Sequence, residues 1–189
     1  MRRSGHVADR MSPAATPAGL TRRTDVAAAD TPLREVYLHP GQLIASAEPM
    51  VVTTILGSCV AVCVWDAETG IGGMNHFLLP HHAEGPAATP RFGNVAMDLL
   101  LQKVLALGAQ PRMLTAKVFG GACVLDALRD RSSALGGRNV IVAREALGAA
   151  AIPVLAEDVS GDRGRKLSFD TSDGSVTVRM LAGEAAARR

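Results

Sequence analysis

The stretch VVTTILGSCVAVCVWDAETGIGGMNHFLL, residues 51–79, decides the fold because three strand patterns follow one another in it. Residues 51–56 and 59–65 are apolar and rich in β-branched side chains, a composition that favours strands. Residues 66–70 carry turn chemistry, and residues 72–79 return as a third strand. The second and third strands are therefore predicted to pair as an antiparallel β-hairpin.

The hairpin register predicts which side chains share a face. If the four residues after Asp66 form the loop, Asp66 faces Ile71 and the numbers of paired residues sum to 137. His76 then lies opposite Ala61, two residues from Cys59, so the imidazole and the thiol lie on one face. Diagonal neighbours of this kind are about 7–8 Å apart. A slip of one residue would move them to opposite faces.

Cys59 and His76 together have the chemistry of a thiol nucleophile. An imidazole takes the thiol proton and later returns a proton to the leaving group. Gly57 and Ser58 form a small-residue turn that exposes the sulfur and leaves backbone N–H groups for an oxyanion. The pattern predicts a cysteine amidase, with Cys59 and His76 catalytic and Gly57 and Ser58 forming the oxyanion turn.

The rest of the chain predicts a mixture of strands and helices. A helix is expected over residues 95–105, with Asn94 as its cap and Gly108 at its end. A second helix is expected over residues 140–147, after Arg138 and Asn139. The other predicted strands are residues 36–38, 114–119, 152–158, 165–170 and 175–181. Hairpin-length connections dominate, which indicates an α/β (α+β) fold with mostly antiparallel β-sheet.

Length and composition predict one folded domain with an aliphatic core. The chain has 189 residues, of which 48% are hydrophobic and only 3% are aromatic. Residues 1–33 are rich in Ala, Pro, Thr, Ser and Arg without an apolar period, so a disordered tail is expected there. The folded domain is expected over residues 34–182, and residues 183–189 are expected to fray.

Several functional classes are disfavoured by charge and cysteine content. The first 34 residues carry a net charge of +3, which leaves −1 for the remainder, so nucleic-acid binding is not expected. Three cysteines without a pairing pattern argue against a disulfide framework and favour a reducing, cytoplasmic setting. The sequence has neither a run of 18 apolar residues nor an apolar signal region, so membrane insertion and export are not expected.

A metal site and a phosphate-binding loop are both disfavoured by the sequence. Cys59 and Cys63 are separated by about 13 Å along a strand, too far to bind one zinc ion, and we expect no metal or cofactor. Cys63 and Cys123 are expected in the core, and the histidines at 81 and 82 in an exposed loop. The glycine pair at 120 and 121 lacks the lysine and hydroxyl residue of a phosphate loop, so close backbone packing is the expected reason for it.

Five ordered blocks carry a family resemblance. They are residues 57–63, 72–80, 117–122, 137–139 and 164–166. With these blocks, residues 35–181 resemble the CheD family of chemoreceptor glutamine deamidases. One departure is Ser160, which stands where the family usually has the first glycine of a pair, and it bears on the local turn geometry or on a partner surface.

The resemblance implies a layered, CheD-like α/β sandwich with flanking helices. It also implies a cytoplasmic enzyme that hydrolyses selected glutamine side chains of methyl-accepting chemotaxis receptors and releases ammonia. A CheC-type phosphatase is implied as a partner. By motif, the family's catalytic cysteine, histidine and threonine map onto Cys59, His76 and Thr53. Along a straight strand Thr53 would lie about 20 Å from Cys59, so this role requires the chain to break at Gly57.

Two alternatives remain open at the level of sequence. The protein could be a binding module that docks a phosphatase or receptor with secondary or lost catalysis. It could also hydrolyse receptor methyl esters, because that reaction needs the same nucleophile and oxyanion site.

Overall fold

Two β-sheets and two helices form the part of the chain that the computed structural model describes, residues 32–82, 88–123 and 129–182. The strands are β1 Arg34–Tyr37, β2 Gln42–Ser46, β3 Met50–Leu56, β4 Val60–Asp66, β5 Gly72–His76, β6 Leu114–Gly120, β7 Val154–Val159, β8 Arg165–Asp170 and β9 Val176–Met180. The helices are α1 Gly93–Ala106 and α2 Arg129–Ala149, with a short 3₁₀ turn at Pro111–Met113.

The strands are distributed over a four-stranded and a five-stranded sheet. The four-stranded sheet has the order β1-β3-β8-β9, and the five-stranded sheet has the order β2-β5-β4-β6-β7. Among the described strands, β1–β3 and β6–β7 pair in parallel and the other five pairs are antiparallel. The predicted mixed fold with mostly antiparallel pairing is confirmed.

Two apolar clusters hold the elements together as three layers. Between the sheets, Val52 and Leu56 of β3 pack in one cluster with Ala61 and Cys63 of β4. On the other face of the five-stranded sheet, alternate β4 residues such as Val62 pack in a second cluster that includes side chains of both helices. Because side chains alternate along β4, this strand contributes residues to both clusters. The predicted layered sandwich is confirmed, and both flanking helices contact the five-stranded sheet.

The predicted hairpin has the predicted register. Cys63 pairs with Met74, and an isolated bridge joins Val60 to Phe77, so both pairs sum to 137. The turn is fixed by the buried Asp66 carboxylate, which accepts the backbone N–H groups of residues 68 and 69 at 2.9 and 3.2 Å. Turn chemistry and alternation therefore determined this register locally.

Two strand predictions need correction. No strand was predicted at residues 42–46, whereas β2 lies there and pairs with β5, with Gln42 opposite His76. The strand that carries His76 ends at that residue and not at Leu79. The N–H groups of Leu78 and Leu79 both donate to the carbonyl of Arg91, at 2.9 and 3.0 Å, so the chain leaves the sheet.

The predicted end of α1 is confirmed, whereas the predicted cap of α1 and the predicted start of α2 are wrong. Gly108 follows the end of α1 with φ +108°, as expected for a glycine that ends a helix. Asn94 does not cap α1, because its Oδ1 accepts the N–H of His82 at 3.0 Å and the cap position belongs to Phe92. Helix α2 already includes Asn139, so its predicted start at residue 140 was wrong. None of the helices in the described ranges is long and apolar enough to cross a membrane.

Some predictions fall on residues outside this description. Residues 1–31 of the expected tail lie outside the described ranges. So do residues 83–87 of the loop that follows His82, and residues 183–189 at the C-terminus.

Candidate active site

The turn at residues 57–59 carries the chain from β3 in one sheet to β4 in the other. Its three carbonyl oxygens all accept hydrogen bonds: Gly57 from the N–H of Ala122 at 2.8 Å, Ser58 from Nδ2 of Asn139 at 3.1 Å, and Cys59 from the N–H of Gly121 at 2.8 Å. Hydrogen bonds from other segments to these three carbonyl oxygens thus fix the conformation of the turn.

The N–H groups of Ser58 and Cys59 donate to no acceptor on another residue that the structure describes. Two neighbouring backbone N–H groups of this kind can receive an oxyanion that forms next to the Cys59 sulfur.

Glycines at 120 and 121 let β6 approach the turn. Gly120 has φ +110°, and a Cβ there would lie 2.1 Å from the Cys59 carbonyl oxygen. Gly121 has φ +70°, and a Cβ there would lie 2.8 Å from Cγ2 of Val140. Both positions therefore need glycine for space and for backbone conformation. The expectation that the pair serves close packing is confirmed.

His76 is the last residue of β5 and is only 1% exposed. The Thr54 hydroxyl oxygen lies 2.8 Å from Nδ1 of His76 and 2.7 Å from the carbonyl oxygen of Leu38. A carbonyl only accepts, so the hydroxyl proton must point to Leu38. The imidazole proton then lies on Nδ1 and is donated to Thr54, which leaves Nε2 unprotonated.

The Nε2 atom of His76 is available as a base. It is buried and makes no hydrogen bond to the Cys59 sulfur or to any other atom of the described residues. Burial lowers the pKa of His76 to about 4, and the nearby backbone carbonyl of Leu38 partly opposes that shift. The imidazole is therefore neutral at neutral pH.

Cys59 is half-buried and packs against the apolar cluster between the two sheets. Burial raises the pKa of the Cys59 thiol, and a hydrogen bond from its own backbone N–H partly opposes this. Thiol and imidazole are therefore both neutral in the free protein.

The structure places Thr54, and not Thr53, against the imidazole. Side chains alternate along β3, and the buried Thr54 shares the inner face with Val52 and Leu56. Thr53 is half-buried on the other face, and its side chain makes no hydrogen bond within the described residues. The hydrogen bond to the imidazole is thus made by Thr54, whereas the family motif indicates its neighbour Thr53.

Comparison with known proteins places the chain in a family. A family model described as CheD chemotactic sensory transduction matches residues 78–180. A relative from Anaeromyxobacter dehalogenans (strain 2CP-C), named "Probable chemoreceptor glutamine deamidase CheD 1", is 47% identical over 95% of this chain and 99% of its own. The chain belongs to the CheD family.

Other CheD relatives agree. One from Trichlorobacter lovleyi, named "Probable chemoreceptor glutamine deamidase CheD", is 45% identical over 78% of this chain and 91% of its own. A relative of the same name from Sulfurimonas denitrificans is 38% identical over 77% of this chain and 93% of its own. The crystal structure of Bacillus licheniformis hypothetical protein YfiH aligns with 61% of this chain and 49% of its own, at TM-score 0.41 and 15% identity, too distant to bear on the site.

Ser160, the departure from the CheD pattern, lies next to Gly120, which packs against the turn at residues 57–59. It has φ +65°, a left-handed conformation that favours glycine. Its N–H donates to the Gly120 carbonyl at 2.8 Å, and its own carbonyl accepts Nη2 of the buried Arg165. Arg165 also binds the Asp158 carboxylate at 2.7 Å. Arg165 thus holds the serine in place behind Gly120.

The remaining cysteines and loop histidines lie outside this site. Cys63 and Cys123 are buried, as expected, and burial raises the pKa of Cys63. His81 is exposed, whereas the half-buried His82 packs edge-on against Phe92 with ring centroids 4.8 Å apart. Within the described ranges, no three His, Cys, Asp or Glu side chains form a group that could hold a metal ion.

Sequence reasoning missed two residues that contact the site, Thr54 and Asn139. Thr54 was visible only as the neighbour of Thr53, and strand alternation allows either hydroxyl to face inward. Asn139 was interpreted as preceding a helix, although it lies inside α2 and reaches the Ser58 carbonyl. No local signal distinguishes such a buried asparagine from an ordinary helix-start residue.

Proposed function

We propose that this protein is a chemoreceptor glutamine deamidase, which hydrolyses selected glutamine side chains of methyl-accepting chemotaxis receptors to glutamate and ammonia. The names of its CheD relatives support the substrate class. The observation that carries the proposal is the hydrogen-bonded chain from His76 through Thr54 to Leu38. It leaves Nε2 as an unprotonated base on the face between the sheets, against which Cys59 also packs.

In the first half-reaction, Nε2 of His76 takes the proton of the Cys59 thiol as the sulfur attacks the glutamine carboxamide carbon. A C–S bond forms, and the electron pair of the C=O bond moves to oxygen. The N–H groups of Ser58 and Cys59 stabilise this oxyanion. The imidazolium then gives its proton to the nitrogen, the C–N bond breaks, and ammonia leaves a glutamyl thioester on Cys59.

In the second half-reaction, Nε2 takes a proton from water as the water oxygen attacks the thioester carbon. The C–S bond breaks, and the proton returns to the sulfur. The products are glutamate and the free thiol. No cofactor or metal enters these steps.

Thr54 and Leu38 orient the imidazole in both halves. A neutral hydroxyl stabilises imidazolium less than a carboxylate would, because it carries no charge. The low pKa of His76 agrees with this environment. We therefore propose that proton transfer accompanies sulfur attack, without a preformed thiolate–imidazolium pair.

We also propose a cytoplasmic location and a CheC-type phosphatase as a partner. The three cysteines form no disulfide within the described residues, and a working thiol suits a reducing compartment. The receptors are expected to be contacted as protein substrates, without insertion of this chain into the membrane and without nucleic acid.

The proposal is tested by mass spectrometry of receptor cytoplasmic-domain protein after incubation with wild type, Cys59→Ala or Cys63→Ala. We expect glutamine-to-glutamate conversion with wild type and Cys63→Ala and none with Cys59→Ala. Cys63 is the matched control, because it is a cysteine of the same strand region buried in the core.

Three other outcomes would count against the proposal. Conversion by Cys59→Ala would remove the thiol from the mechanism. Receptor or phosphatase binding without conversion by wild type would favour a docking module. Release of methanol from methylated receptor, with amides untouched, would favour methyl-ester hydrolysis.

A further inference from the structure

The β4–β5 ladder ends where the candidate site begins. Val60 and Phe77 exchange two backbone hydrogen bonds, of 3.1 and 2.9 Å. Beyond them a regular ladder would join Ser58 to Leu79. Instead, the N–H of Leu79 donates to the Arg91 carbonyl at 3.0 Å, and the Leu79 carbonyl accepts the N–H of Gly93 at 2.7 Å. The two chain segments therefore separate next to Cys59.

The side-chain amide of Asn139 joins the separated segments. Its Nδ2 donates to the Ser58 carbonyl at 3.1 Å and to the Leu78 carbonyl at 2.9 Å. Ser58 directly precedes Cys59, and Leu78 lies two residues after His76. One amide group from α2 thus binds both the turn at residues 57–59 and the segment that follows His76.

The chemistry of this position requires an amide. Neither carbonyl accepts another hydrogen bond within the described residues. An amide nitrogen carries two hydrogens for two acceptors, whereas a hydroxyl carries one. Asn139 is fully buried, and its Oδ1 has no hydrogen-bond partner among the described residues. A buried oxygen without a partner costs stability, so the contribution of this side chain to the structure lies in its two donated bonds.

We infer that Asn139 is a positioning residue, which sets the separation of the Cys59 thiol from the His76 imidazole. This inference rests on the proposed function. Without the amide, the turn at residues 57–59 would be free to move relative to β5, which carries His76. A displacement of about 1 Å between reacting groups can lower a reaction rate about 100-fold. The effect belongs to kcat, because Asn139 touches the protein backbone and not the substrate.

The test compares wild type with Asn139→Ala and Asn139→Asp, which is nearly the same shape but lacks the amide donors. The matched control is Thr171→Val. Thr171 is also buried and holds backbone, accepting the N–H of Met50 at 2.9 Å, but at the end of β3 far from residues 57–59. The melting temperature of each variant is measured first. The kcat and KM for receptor glutamine conversion are then measured at a temperature below its melting range.

We expect both Asn139 variants to lose kcat about 10- to 100-fold, with KM unchanged, and Thr171→Val to lose stability but keep kcat. A folded Asn139→Ala protein with wild-type kcat would overturn the inference. An equal loss of kcat in Thr171→Val would also overturn it, because the effect would then follow stability alone.

Hydrogen exchange supplies an arm that needs no substrate. If wild type converts no glutamine, the proposed deamidase function fails, and exchange still decides whether Asn139 holds the two segments. Faster exchange in Asn139→Ala, confined to peptides with residues 57–60 and 77–79, supports the inference. Unchanged exchange in those peptides overturns it. If Asn139→Ala does not fold, Asn139→Ser, which keeps one donor, is measured in both arms against the same criteria.

Discussion

The side chains of Thr53 and Thr54 point to opposite faces of β3, and only the Thr54 hydroxyl reaches the His76 imidazole. Both residues are threonine, so composition gives no preference between them. The choice is made by the packing of β3 on the other sheet, which is a long-range property. This is why a family motif pointed to one residue and the geometry points to its neighbour.

Replacing Thr54 by valine should lower kcat/KM about 10- to 100-fold, because the imidazole loses the contact that fixes its orientation and tautomer. Thr53→Val is the matched control, and it should stay within about twofold of wild type. Steady-state kinetics with receptor protein gives both values. If the loss occurs in Thr53→Val and not in Thr54→Val, the assignment of the orienting threonine is wrong.

The low pKa of His76 makes protein stability depend on pH. The folded-state pKa is about 4, below the value of about 6.5 for an unperturbed histidine. Between these values the unfolded chain binds the extra proton, so stability is lost as the pH falls from about 6.5 to about 4. The expected loss from this group is about 3 kcal/mol.

Urea unfolding of wild type and His76→Gln at several pH values measures this loss. Other titrating groups are common to both proteins, so the difference between the two unfolding free energies isolates His76. That difference should change by about 3 kcal/mol between pH 7.5 and 4, to the disadvantage of wild type. A difference that does not vary with pH would show that His76 is not buried as a neutral group.

Helices α1 and α2 end in the same hydrogen-bond pattern with different residues at its left-handed position. In α1, Gly108 has φ +108°, and the N–H of Ala109 donates to the Val104 carbonyl at 3.1 Å. In α2, Ala151 has φ +53°, and the N–H of Ile152 donates to the Leu147 carbonyl at 2.9 Å. Both are Schellman ends, and glycine suits that position best.

The two ends make a paired prediction about stability. Ala151→Gly should raise the free energy of unfolding by about 0.5–1 kcal/mol, because the strain on Cβ is removed. Gly108→Ala should lower it by about 1 kcal/mol. An added Cβ at Gly108 would meet nothing closer than 3.8 Å, so backbone strain alone is at issue. Denaturant unfolding tests both, and changes of the opposite signs would contradict this account of the helix ends.

Elements with local signals were predicted well, and those with distant partners were not. The β4–β5 register followed from the Asp66 turn and from alternation. Strand β2 was missed because its pairing with β5 is not visible in its own short sequence. The start of α2 was also missed, because the helix was predicted only after Arg138 and Asn139, whereas it begins at Arg129. Gly136 lets the helix approach β6, since a Cβ there would lie 2.4 Å from the Gly121 carbonyl oxygen.

At the scale of the whole molecule, the candidate site lies where the chain passes from one sheet to the other. The turn at residues 57–59 makes the crossing, β5 brings His76 to the same interlayer face, and β3 of the other sheet supplies Thr54. Cys59 and His76 could be predicted because one hairpin carries both. Thr54 and Asn139 could not, because they reach the site from the second sheet and from α2.

The central claim is that Cys59 forms a thioester with a receptor glutamine, and trapping with hydroxylamine tests it most directly. Hydroxylamine attacks a thioester in competition with water and would convert the same glutamine side chain to a hydroxamate. Mass spectrometry of receptor incubated with wild type should show hydroxamate replacing glutamate as hydroxylamine rises, and neither product with Cys59→Ala. Glutamate formed without any hydroxamate, or either product formed by Cys59→Ala, would contradict a covalent mechanism at Cys59.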